Sequence, residues 1–178
     1  CEEHKEVYNK VIEFSDREEG GKFTGDPATA YSYNDAASYI EANAFLYVLF
    51  KEEEKGRKAI DGLFDYYATH DAKKTPFQYR SAGYEAFISA EVYDWCYPLL
   101  TDEEKKDIIS RVILAATQME VGWPPVKQSG ANDGHDSEYQ IMRDLFSFAI
   151  AVWEDYPEFY NNVAGKIFSE YVPKRNFY

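Results

Sequence analysis

The sequence is poor in cysteine and histidine, lacks an excess of positive charge, and contains no long apolar run. Two cysteines in 178 residues cannot build a multi-bridge framework, so folding must rest on a hydrophobic core. Cys96, inside "AEVYDWCYPLL", has apolar neighbours and reads as a buried thiol. Cys1 stands first in the numbering; it is consistent with the lipid-anchor cysteine of a bacterial surface lipoprotein, and equally with a fragment boundary. The three histidines form neither a Cys/His nor a His-Glu-x-x-His spacing, so no metal site is expected in this segment. No stretch approaches the ~20 apolar residues that span a bilayer. Nineteen Lys and Arg face 32 Asp and Glu, a formal net charge of −13. That balance leaves no basic stripe for nucleic acid or for an anionic membrane surface.

What is present points to a packed domain. Hydrophobic residues make up 45% and aromatics 17%, with 16 Tyr and 12 Phe, which excludes a disordered chain. The length suits one domain over 1–178. Tyrosine offers apolar area and a hydroxyl together, so most of these rings belong to the core and some to damp grooves.

Helical periodicity dominates. "YSYNDAASYIEANAFLYVLF" places Tyr33, Ala36, Ala37, Ile40, Ala44, Tyr47 and Val48 on one face. "AIDGLFDYYATH" continues after a charged hinge, "KEEEKGRK", and "GYEAFISAEVYDWCYPLL" reads as a helix ended near Pro98. Thr101 is a natural N-cap with Glu104 three residues on, and Ile108, Val112, Ala115 and Met119 form the buried stripe behind it. Ile141, Leu145, Phe148 and Val152 repeat the pattern. The last helix starts at Pro157 and is expected to end before Pro173. "KFTGDPATAY" and "KTPFQYRSAGY" read as loops. With no strand alternation and short linkers, the fold class is all-α, built of antiparallel helical hairpins.

One stretch carries candidate chemistry: "SGANDGHDSEYQIMRDLFS", residues 129–147. A helix should start near His135 or Asp136, where free N–H groups and the helix dipole favour negative charge. His135 and Glu138 are three apart, so a helix would project them from one face. Gly130 and Gly134 let backbone approach a ligand. From spacing alone the plain reading is an N-terminal cap, with Asp136 and Glu138 favouring the dipole and His135 a loop residue. His4 and His70 sit among polar residues and read as solvated.

The segments "YDWCYPLLTDEEK", "GHDSEYQIMRDLFSFAIAVWEDYPEFYNNVAG" and "VPKRNFY" together resemble the helical domain of the heparinase II/III-like polysaccharide lyases, nearest in pattern to the heparinase II branch. The resemblance spans roughly residues 31–178, with the Gly-His-x-x-Glu block followed by Arg-Asp-Leu its most specific part. It implies part of an incomplete (α/α) toroid, with β-sandwich domains that this chain does not contain.

It also implies β-elimination on a uronic-acid-containing, glycosaminoglycan-like polysaccharide. His135 matches the family's histidine base and Glu138 the carboxyl that engages the uronate. For two carboxyls to share a hydrogen bond, one must be protonated. Arg80 falls where the family has a groove arginine, whose fork can hold a carboxylate or sulfate; a surface ion pair is the plain alternative. Asn132 is a candidate sugar contact, and Arg143 with Asp144 reads as an interhelical brace. The family's catalytic tyrosine and second histidine lie beyond the matched stretch, and Tyr178 is not assigned that role. The 178 residues alone are therefore expected to be inactive. No cofactor is expected in this segment; a structural metal would belong to the β domain. The resemblance implies a secreted or periplasmic protein. Its acidic balance argues against very highly sulfated heparin and toward a less charged uronan. Because screening limits repulsion to about 8 Å, a local groove with Arg80, Lys73, Lys74 and Lys127 is still expected to be positive. A truncated toroid would expose an apolar face suited to self-association. An (α/α)-toroid glycoside hydrolase, with carboxylates such as Asp35 and Glu138, and a non-catalytic glycan-binding scaffold stand as alternatives.

Overall fold

The computed structural model describes residues 2–25, 35–70, 79–119, 121 and 138–175, and every regular element among them is helical. In chain order these are α1 (Glu2–Ser15), α2 (Asp35–Phe50), α3 (Glu53–Thr69), α4 (Tyr79–Trp95), a 3₁₀ turn (Tyr97–Leu99) and α5 (Asp102–Ala116). A π-helical segment, Tyr139–Leu145, runs straight into α6 (Phe146–Ala151). Finally α7 (Pro157–Lys166) passes through a π turn, Ile167–Tyr171, into α8 (Val172–Arg175).

Side-chain pairings fix how the helices lie. Tyr47 meets Gly56 and Ile40 meets Gly62, so α3 returns antiparallel to α2. Glu85 with Arg111, and Tyr97 with Lys105, place α5 antiparallel to α4. Trp153 on Tyr160 and Phe146 on Phe168 do the same for α6 and the α7 helix with its extension. Between hairpins the sense is parallel. Phe45 lies by Trp95, and Glu41 bonds Glu91, across α2 and α4. Gly83 abuts Asp144, and Tyr93 meets Phe148, across α4 and the Tyr139–Ala151 helix. Arg57 with Glu104 and Tyr67 with Arg111 give the same sense to α3 and α5. Thus α2, α4 and α6 form one layer of mutually parallel helices; α3 and α5 form a second, and α7 folds back onto α6.

Local chemistry explains the elements. α2 is apolar on most sides because α1, α3 and α4 all contact it. In α3 the stripe Ala59, Ile60, Leu63 and Tyr66 is buried. α5 starts at a capping box: Glu104 N–H donates to the Thr101 hydroxyl, while Glu104 accepts from Thr101 N–H at 2.8 Å. Arg57 of α3 donates to the same carboxylate at 2.8 Å, so one glutamate both caps α5 and ties it to α3. Ile108, Val112, Ala115 and Met119 are buried as expected, although Met119 lies just past the helix. Cys96 is buried, and burial pushes its thiol up to about 12, which leaves it unreactive.

The segment before Asp16, for which the sequence pattern gave no reading, is a helix, and its apolar residues are only half covered: Val7 and Tyr8 stay exposed. Three expectations need correction. The charged "hinge" shrinks to Lys51–Glu52, with Lys51 at φ 58, because Glu53, Glu54 and Lys55 already belong to α3. Likewise α4 begins at Tyr79, so "YRSAGY" is helical; α4 itself ends at Trp95 and the 3₁₀ turn Tyr97–Leu99 closes the helical run at Pro98, as expected. Lastly, the final helix does not stop before Pro173. Proline lacks the N–H of a regular helix and crowds the carbonyl of residue i−4. The π turn at Ile167–Tyr171 widens the preceding turn, and the chain stays helical to Arg175.

Candidate functional site

Parallel packing of α4 on the Tyr139–Ala151 helix brings their N-terminal ends to the same side of the layer. Arg80 occupies the first turn of α4. Glu138 is helical, solvent-exposed, and immediately precedes the π segment. Gly83, three residues after Arg80, is where the two helices nearly touch: a Cβ there would lie 2.0 Å from Asp144 Oδ2. Arg80 and Glu138 thus belong to neighbouring helix starts. His135 and Asn132, with the groove lysines Lys73, Lys74 and Lys127, lie outside the described residues.

The expected interhelical brace is there. Asp144 is buried and accepts from Arg143 Nε at 2.6 Å. The Arg143 guanidinium lies over the Tyr84 and Phe87 rings of α4, 4.6 and 5.5 Å from their centroids. A π-helical stretch presents these residues, a geometry often found at functional sites. Gln140 secures its base by accepting from Val121 N–H at 3.1 Å.

Below this end, the outward face of the α2/α4/α6 layer carries a cleft that the sequence reading did not anticipate. A cavity of about 430 Å³ lies between α1, α2 and α4, lined by Phe14, Phe45, Phe87, Trp95, Glu41 and Glu91. A second, of about 340 Å³, shares Phe87, Glu91 and Trp95 and extends to Asp94 and Ile150. Glu41 and Glu91 are hydrogen-bonded to each other. Burial first, then the Glu91 charge, raises Glu41 to about 9. Burial likewise raises Glu91 to about 7. Two acids this close cannot both ionise cheaply, so the pair holds a proton at neutral pH. Glu91 Oε2 is buried and receives no hydrogen bond. A signal was there to find: both glutamates interrupt apolar helical stretches with no Lys or Arg three or four residues away.

His70 also needs correction. It is 1% exposed, not solvated, with Nδ1 3.0 Å from Glu85 Oε2. It stacks on Tyr66 and meets Phe23 edge-on. Arg111 donates to Glu85 and to the His70 carbonyl. His70, Glu85 and Arg111 therefore tie the C-terminal end of α3 to α4 and α5. His4 is exposed, as expected.

No protein-family model matches the chain, and no curated protein matches it. Among the described residues no cluster of three or more His, Cys, Asp or Glu could hold a metal ion. None of the helices described is long and apolar enough to cross a membrane.

Proposed function

We propose that the chain is the helical part of a secreted or periplasmic polysaccharide lyase that cleaves a uronic-acid-containing, glycosaminoglycan-like polymer by β-elimination. The observation that carries this reading is the shared end of α4 and the Tyr139–Ala151 helix, where Arg80 and Glu138 occupy adjacent helix starts. The Gly-His-x-x-Glu block leads directly into that end. The alternating layers of hairpins agree with a segment of an (α/α) toroid, in which one layer would face the substrate.

In this mechanism Arg80 and Glu138 neutralise the uronate carboxyl, which makes the C5 proton removable. His135 takes that proton, the C5–H electron pair becomes the C4–C5 double bond, and the C4–O4 bond breaks. A separate acid protonates the departing O4, and Asn132 contacts the sugar. General-base help of this kind is worth about 10²–10⁴ in rate. Stabilising the developing charge contributes further.

A glycoside hydrolase is the weaker reading. Asp35 starts α2 and Glu138 precedes the π segment, with α4 between them. Two interhelical steps of about 8–10 Å each exceed the roughly 5–9.5 Å that glycosidases need. Glu41 and Glu91 fail oppositely, being bonded to each other. Self-association through exposed Ile150, Trp153 and Phe168 belongs to the same proposal.

Product chemistry tests the reading. The full-length natural protein, incubated with a panel of uronans, should release fragments that absorb in the ultraviolet through a C4–C5 double bond. New reducing ends without that absorbance would instead identify a hydrolase.

A further inference from the structure

The cleft on the α2/α4 seam stands apart from the groups assigned to elimination, and its lining has a chemistry of its own. Its walls are aromatic: Phe14 from α1, Phe45 from α2, and Phe87 and Trp95 from α4. Its charged groups are all carboxyls: Glu41 and Glu91 line the cavity and Asp94 the adjoining lobe, beside the neutral Ser38 and Ser147 hydroxyls and the Trp95 indole N–H. Glu91 Oε2 receives no hydrogen bond from the chain, which is costly for a buried carboxyl oxygen. Arg143, the nearest cation acting on Glu41, is engaged by Asp144 and by the Tyr84 and Phe87 rings.

A ligand for this space must bring N–H or O–H donors, tolerate two carboxyls, and offer an apolar surface to the rings. A primary ammonium carries three donors and no acceptor. Its charge is attracted both by carboxylates and by ring faces. The chain's net charge of −13 favours the approach of cations and disfavours anions. We propose that this cleft binds a primary ammonium group carried on an apolar body, with Glu41 and Glu91 accepting its N–H groups and Phe45, Phe87 and Trp95 packing on that body. Two sources present this chemistry: a free alkylamine, and a hexosamine unit whose nitrogen is not acylated. The second brings a flat C–H face suited to Trp95.

The test is a calorimetric titration of the full chain with n-butylammonium, D-glucosamine and N-acetyl-D-glucosamine at neutral pH. Both amines should bind saturably, and N-acetyl-D-glucosamine about tenfold or more weaker than D-glucosamine. Tighter binding of D-glucosamine than of n-butylammonium identifies the amino sugar as the source; the reverse identifies the alkylamine, and equal binding a site that reads the ammonium alone. Glu91→Gln, nearly isosteric, should weaken both amines by about tenfold while its circular dichroism matches the parent. The proposal is overturned if neither amine binds, if N-acetyl-D-glucosamine binds as tightly as D-glucosamine, or if a folded Glu91→Gln keeps its affinity for the amines. The ligand comparison needs no variant, so it decides the matter even if Glu91→Gln fails to fold.

Discussion

Glu41 of α2 and Glu91 of α4 meet carboxyl to carboxyl across the seam between two parallel helices, in a cleft walled by phenylalanine and tryptophan. Both are raised above the ordinary carboxyl range, by burial first. The folded chain therefore holds protons there that the unfolded chain releases at lower pH. Stability from this pair is complete below about pH 4.5 and declines as pH rises through about 7 and about 9. Thermal melts of the parent should fall by roughly 5 °C or more between pH 5 and pH 9. The double variant Glu41→Gln/Glu91→Gln should show a flatter profile. An identical slope in both proteins would remove the pair from the account.

Glu104 behaves in the opposite sense. Its hydrogen bond from Arg57, more than any other cause, holds its carboxyl below the usual range. Its contribution is present at neutral pH and is lost as acid protonates it. Thr101→Ala removes the other half of the capping box and should cost about 1 kcal/mol in chemical denaturation. Glu104→Gln should cost a similar amount at pH 7, with the difference shrinking toward pH 3. A neutral effect at both positions would mean that α5 does not depend on its cap.

Gly83 marks the closest approach of α4 to the Tyr139–Ala151 helix, against the buried Asp144 carboxylate. Gly83→Ala places a methyl carbon 2.0 Å from Asp144 Oδ2. It should destabilise by about 1–3 kcal/mol, against the usual gain from glycine to alanine in a helix. Denaturant midpoints of the two proteins check the sign.

The order of helices was largely legible in the sequence because apolar spacing reports the buried face directly. Ile108, Val112, Ile141, Leu145 and Phe148 all lie where periodicity places them. α1 escaped because charged residues dilute its stripe and Val7 and Tyr8 remain exposed. Pro173 misled because a π turn upstream relieves the clash that normally ends a helix. The Glu41–Glu91 cleft was hidden for a different reason. Its two carboxyls lie 50 residues apart in sequence, and only the parallel α2/α4 packing brings them together. His70 was misjudged because its partners, Glu85 and Arg111, come from two other helices.

That buried group supplies a further prediction. Glu85 is fully enclosed, with Arg111 and His70 as its partners. Glu85→Leu leaves the Arg111 guanidinium without its carboxylate and should cost about 3–5 kcal/mol. The loss should appear in urea unfolding, because this cluster joins three helices. A cost under about 1 kcal/mol, the range of surface pairs, would contradict the bracing role.

The central claim is elimination at the end of the layer where Arg80 and Glu138 lie. The most direct measurement compares the full-length natural protein with its His135→Ala variant on a uronan, following ultraviolet absorbance of the unsaturated product and oligosaccharide binding in parallel. The account predicts that kcat falls by about 10²-fold or more while binding persists. Product formation by His135→Ala at the parental rate would contradict it.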